Sequence, residues 1–285
     1  SYSHRESCYP HPPRFRLKRN FVSSLVRRYF DKERATLDST YSSYDSFYGR
    51  CHSITELYGN KNIGQIAELL GVMAPKTKSA AEYVIVRMFG GSGKKLNNIN
   101  FFRKYSIRIK TLTLSSSDKR TEDMKLFPLD FDEVSNPDLM FEESSFFEYF
   151  FNQHFLFPIF KEPFLECPLS ENIFLGFKEM MFSESFIDEV AKPLFCNIQR
   201  LIVNHELKNV PCYTKNGRLR INKKTGTIMS APNFPKSRDG VLFIRGGGND
   251  SLDKKEYIEG VSMYYQTVWC KGTYIVSELS KIPFL

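Results

Sequence analysis

The sequence predicts a mixed α+β fold, and three observations carry that expectation. Stretches that alternate apolar and polar residues lie among stretches whose apolar residues recur every three or four positions. The two kinds follow no regular strand–helix alternation. The chain has 285 residues, 41% of them hydrophobic, which is enough for an extensive core. With 26 Phe and 15 Tyr against a single Trp, that core is expected to be aromatic.

Taken in order, residues 1–13 are polar and proline-bearing. Residues 14–30, RFRLKRNFVSSLVRRYF, start extended and turn helical, with Phe21, Leu25 and Val26 on one face and Arg27 and Arg28 on the other. The Ser-, Thr-, Tyr- and Asp-rich stretch 31–52 reads as a linker with room for a short helix. ITELYGNKNIGQIAELLGV reads as two short helices around Gly59-Asn60, the second burying Ile63, Ile66, Ala67 and Leu70 and stopping at Gly71. SAAEYVIVRMFGG reads as a helix ended by its double glycine. GSGKKLNNIN is a loop, and Ile107–Leu114 is a strand.

MKLFPLDF predicts a second strand, with Phe127, Leu129 and Phe131 as its apolar side. SSFFEYFFNQH is expected to be helical, and FLFPIFKEP is an apolar strand whose Pro158 points to an edge or a bulge. Residues 184–209 hold a long helix that Pro193 kinks or begins. GRLRINKKTG is a basic turn, VLFIRGG a short strand, and QTVWCKGTYIVSEL a strand, turn and helix.

The formal net charge of +8 favours an anionic partner. The cysteines form no C-x-x-C pair, which suits reduced intracellular thiols, and the five histidines are too scattered for a zinc set. No apolar run reaches a membrane span, and the first twenty residues lack the apolar segment of a signal peptide. These features predict a soluble, cytoplasmic protein with no membrane partner. GGSGKK lacks the remaining Walker positions, since Met88 and Lys95 stand where Gly and Ser or Thr are required. His52, His154 and His205 are expected to be structural, and FFEYFF and FLFPIF to be core.

One strand raises a question. In YSIRIKTLTL the polar side presents Arg108 and Lys110 and no acid, so the alternation predicts one face on the core and a basic face opposite. A second feature is an internal echo: FRLKRNFVSSL resembles VWCKGTYIVSE when Lys18 is set on Lys271, which pairs Phe21 with Tyr274 and Val22 with Ile275.

Together GQIAELLGV, EYVIVRMFGG, SIRIKTLTL, FIRGGGND and WCKGTYIVSEL resemble, in order and approximate spacing, the MutH mismatch-repair endonuclease fold, a central mixed sheet flanked by helices. The closer resemblance is to the tandem-domain type II restriction endonucleases that cut at GATC and carry two such folds. It implies that residues 1–30 are the closing strand and helix of an upstream domain, 31–52 a linker, and 53–285 a MutH-like DNA-binding domain.

In that family an Asp, then a Glu seven residues later and a Lys two beyond it, form the site; the acids bind magnesium, which activates water. With the lysine placed on Lys110, the Glu position is Arg108, the Asp position Phe101, and a further acid on the preceding helix falls near Val86. Only the lysine is kept, so the resemblance implies a vestigial site with no metal and no cofactor of its own, magnesium belonging to the parent endonuclease. The implied role is that of an allosteric domain, one that binds a GATC-like duplex site and activates the catalytic domain upstream in the same polypeptide. The resemblance also implies DNA contacts from Arg245, Asn249 and Asp250, with Gly246, Gly247 and Gly248 permitting close approach, and from Lys271, Lys236, Arg238, Lys110 and Arg108. Arg suits guanine and Asn adenine in the major groove. Two alternatives stay open: a magnesium-dependent endonuclease using Asp123 and Lys125, and a structural or oligomerisation module. The cluster Arg218, Arg220, Lys223 and Lys224 is either a solvated hairpin or a phosphate contact.

Overall fold

The computed structural model describes residues 43–91, 107–118, 122–151, 153–214, 216–223, 225–248 and 253–285. The chain divides into Ser1–Arg34 and Ala35–Leu285. The first unit, and with it the internal echo and the expected upstream remnant, lies outside the described residues, as do Phe101, Asn249 and Asp250.

The fold is α+β, as the mixed periodicities predict. Three helices come first: α1 (Tyr44–Tyr58), α2 (Ile63–Leu69) and α3 (Ala80–Met88). Helix α1 begins inside the stretch read as linker and sinks Phe47, Cys51 and Ile54 into the core. Its start is fixed by a capping box in which Ser43 and Ser46 exchange side-chain and backbone hydrogen bonds. Helix α2 is capped the same way by Asn62 and Gln65, buries Ile63, Ile66 and Ala67, and stops where Gly71 takes a φ of 65°.

The first sheet is built on β4 (His154–Lys161). On one side β4 pairs antiparallel with β5 (Ile173–Met180), which the sequence reading did not find. On the other side it pairs in parallel with β1 (Ile107–Ile109) and β2 (Leu112–Leu114). Ile107 lies opposite His154 and Leu112 opposite Ile159, the same offset, so β1 and β2 are one strand broken at Lys110 and Thr111. The break has a chemical cause. Lys110 N–H donates to the Leu156 carbonyl at 3.0 Å, and the next rung would need an N–H from Pro158, which proline lacks. Pro158 therefore sits in a central strand, not at an edge, and its cost falls on the partner strand. The predicted bulge occurs one residue later, where the β4–β5 register shifts between Ile159 and Phe160.

The second sheet is antiparallel, in the order β3 (Met124–Pro128), β11 (Tyr265–Cys270), β8 (Leu242–Gly247). Strand β3 buries Met124 and Leu126, then Leu129 beyond its end, while Phe127 is half-buried and Phe131 opens the short helix α4 (Phe131–Val134). The expected alternation of Phe127, Leu129 and Phe131 fails because a register shift between Val268 and Trp269 resets the strand. Helix α5 (Ser145–Phe150) follows, and then α6 (Glu184–Phe186), a π-helical turn at Ile187–Ala191, and α7 (Lys192–Val203). Pro193 lies in the first turn of α7, where the wide π turn absorbs the missing donor. Two small ladders, β6 (Asn209–Pro211) with β7 (Ser230–Pro232) and β9 (Glu256–Ile258) with β10 (Val261–Met263), and the closing helix α8 (Gly272–Ser280) complete the fold.

The first sheet lies between two apolar clusters. Ile107, Ile109, Leu156 and Phe160 face one, with α1 to α3. Leu112, Phe155, Phe157 and Ile159 face the other, with the second sheet, α5, α7 and α8. Both faces of the IRIKTLTL strand are therefore covered. Arg108 and Lys110 share a face with Leu112 and turn toward the larger cluster rather than toward open solvent. No helix among the described residues is long and apolar enough to cross a membrane.

Candidate nucleic-acid interface

Where the β1–β2 break meets the second sheet, charged groups converge. The Lys110 ammonium donates to the Lys125 backbone carbonyl at 2.9 Å and so ties the first sheet to β3. Burial above all, then the neighbouring Arg108 and Lys125 charges, push its pKa down to about 8 against an opposing pull from Glu82. The Arg108 guanidinium lies over the Tyr149 ring, 4.1 Å from its centroid, and burial lowers its pKa as well. Tyr149 is itself sealed inside; its hydroxyl donates to the Leu126 carbonyl at 3.2 Å, and burial moves its pKa up to about 12.

On the second sheet Lys125, Trp269 and Phe243 stand in one cross-strand row. The Arg245 side chain crosses that row, 4.5 Å above the Trp269 ring and 5.0 Å from Phe243, and ends in a 2.7 Å ion pair with Asp123. Arg245 keeps 44% of its side chain exposed and Asp123 25%, so the guanidinium is aimed but reachable. Arg245 belongs to β8, which continues to Gly247, within the stretch VLFIRGG read as a short strand.

Two of the three glycines that follow, Gly246 and Gly248, serve a contact the sequence does not reveal, while a Cβ on Gly247 would meet nothing within 4 Å. A Cβ on Gly248 would lie 2.3 Å from the Tyr264 ring, and one on Gly246 would lie 2.9 Å from Gln266 Nε2. Close approach here is made by the chain's own side chains.

The other predicted cations gather nearby. Lys271 follows Cys270, the residue opposite Met124, and its backbone N–H bonds to the Val241 carbonyl at 2.9 Å as it opens α8. Pro235 accepts from Ile244 N–H at 2.8 Å, which lays the 235–240 turn beside β8. In that turn the Lys236 backbone bonds to Asp239, burial lowers the Lys236 amine pKa, and exposed Arg238 lies 3.5 Å from Asp239. The structure thus brings Arg108, Lys110 and Lys125 together where the two sheets meet, sets Arg245 over the Trp269–Phe243 row of the second sheet, and puts Lys271 at the end of β11 and Lys236 and Arg238 in the turn beside β8. Tyr149, Trp269 and the buttressing role of Asp123 were not expected. Their signals were the sole Trp inside WCKGTYIVSEL and the Asp123-x-Lys125 triplet.

Among the described residues, buried polar atoms without a hydrogen-bond partner include Arg108 Nε between the sheets and Trp269 Nε1 and Gln266 Oε1 on β11. Local rules are broken where a protein has another use for the residues.

Magnesium requires several hard oxygen donors. The residues here do not fit it. Asp123 is committed to a guanidinium, and the neighbouring strand presents half-buried Arg108 and Lys110 rather than acids. Among the described residues, no group of three His, Cys, Asp or Glu side chains could hold a metal ion. What the junction can do chemically is bind anions through charge-assisted hydrogen bonds.

No family model matches the chain, and no curated protein matches it.

Proposed function

We propose that this chain is a double-stranded DNA-binding effector domain of the MutH-like restriction-endonuclease kind, which engages a GATC-like site and activates a catalytic copy upstream in the same polypeptide. The supporting observation is Arg245. It is stacked on Trp269, buttressed by Asp123 and partly exposed, which pre-organises a planar donor fork for guanine or phosphate. The net charge of +8 suits the same partner. Magnesium, in this reading, belongs to the catalytic copy, and the setting is cytoplasmic.

Replacement of Arg245 by Ala should weaken binding to a GATC duplex about tenfold and narrow the preference over a scrambled duplex. Fluorescence anisotropy with the two labelled duplexes measures both. An unchanged preference would remove Arg245 from the reading role.

A further inference from the structure

A second surface, in the segment that precedes the 235–240 turn, carries the chemistry of a polyanion contact. Between Lys208 and Pro232 the cations are Lys208, Lys215, Arg218, Arg220, Lys223 and Lys224, and the segment contains no Asp or Glu. Its backbone forms three short ladders that meet at a triangle of hydrogen bonds: Cys212 N–H to the Met229 carbonyl at 2.8 Å, Met229 to Arg220 at 2.8 Å, and Arg220 to Cys212 at 2.8 Å. The β6–β7 ladder is the stem. One lobe is closed by the Tyr213–Leu219 bridge and the other by the Ile221–Ile228 bridge.

These lobes stand clear of the cores. Every described residue from Tyr213 to Met229 except Asn222 is exposed, including Tyr213, Leu219, Ile221, Ile228 and Met229. Exposed large apolar side chains on an appendage this small bury nothing within the fold. Each lobe offers the same pairing of features: one apolar cross-strand pair near the junction, and cations around a polar, glycine-bearing turn, Asn216-Gly217 in one and Thr225-Gly226 in the other.

The arrangement of charge decides between anionic surfaces. A bilayer-inserting loop carries its apolar residues at the tip, whereas here the turns are polar and the apolar pairs sit behind them. Duplex DNA matches this order, with a row of phosphates on each wall and apolar sugar and base edges within the groove.

We propose that residues 208–232 form a two-lobed arm that grips duplex DNA, the cations on the phosphates and the apolar pairs against the groove. This rests on the DNA-binding reading above and adds a contact that does not depend on Arg245. The test uses the full chain and the triple variant R218Q/R220Q/K223Q, with I221S/I228S as a second variant; circular dichroism checks that both keep the wild-type fold. Binding of labelled duplex is measured between 50 and 200 mM salt.

The triple variant is expected to bind at least tenfold more weakly and to flatten the slope of log K against log salt by about two to three. I221S/I228S is expected to weaken binding severalfold while leaving the slope unchanged. A wild-type chain that binds DNA with both variants unaltered would overturn the arm and leave the reading at Arg245 standing. A wild-type chain that binds no DNA at any salt would overturn both. Binding to vesicles of anionic phosphatidylserine that the triple variant loses, with DNA binding intact, would reassign the arm to a membrane and overturn the inference.

Discussion

Replacement of Tyr149 by Ala should cost about 3–5 kcal/mol of folding stability. The ring touches three aromatic neighbours, with centroids 4.2 Å from Phe127, 5.3 Å from Phe150 and 5.6 Å from Phe155. Its removal leaves a cavity in the larger cluster and strips the ring from beneath the Arg108 guanidinium. The second loss is what distinguishes this site from any other core aromatic, because an isolated buried cation is costly. Arg108→Met in the same background should therefore recover about 1–2 kcal/mol, a coupling that denaturant melts of the four proteins of a double-mutant cycle will read. Additive effects would mean that Tyr149 is only filler and that Arg108 finds its compensation elsewhere.

Lys110 makes the second large prediction, and its sign depends on pH. Its folded pKa of about 8 lies below the ordinary lysine value of 10.5, so between those values the unfolded chain binds more protons. The contribution of this group to stability thus rises as pH climbs from about 8 to 10.5; below pH 8 the fold carries the full cost of a desolvated ammonium. Lys110→Met should raise the unfolding free energy at pH 7, and the difference from wild type should swing by roughly 2–3 kcal/mol as pH approaches 10.5. Above that, the variant should be the weaker protein by the lost bond to the Lys125 carbonyl, about 1 kcal/mol. Urea melts of both proteins across this range measure the swing. A difference independent of pH would place the Lys110 amine in water.

Some elements were legible in the sequence for definite reasons. Ile63, Ile66 and Ala67 before Gly71 specify α2 through local periodicity and a terminator, and nothing distant contradicts them. Ser145–Phe150 and the strand–turn–helix ending at Ser280 are likewise local.

The errors came from partners distant in sequence. Alternation in IRIKTLTL reads the same whether the second face meets solvent or another sheet, so Arg108 and Lys110 were expected on an open basic face and lie half-buried against β3 and Tyr149. Pro158 pointed to an edge or a bulge; the bulge lies beside it, and the edge reading failed because sequence alone does not reveal that the neighbouring strand breaks opposite it. The glycines after Arg245 were assigned to a ligand's approach; Gly246 and Gly248 also make room for Tyr264 and Gln266 of the neighbouring strand segment, which local sequence does not show. At the candidate site, the cations were visible as residue types. Their buttresses, Asp123 and Trp269, became visible only through the register of β3, β11 and β8.

In the proposed function, cations stand where a MutH-like nuclease would place metal-binding carboxylates, and the domain grips DNA without cutting it. The most direct test incubates the purified chain with labelled GATC duplex and magnesium, recording retention and strand scission together from 50 to 200 mM salt. Tight binding that falls steeply with salt, with the duplex intact at every point, is the predicted result. Scission that requires magnesium and disappears in Asp123→Ala would contradict it.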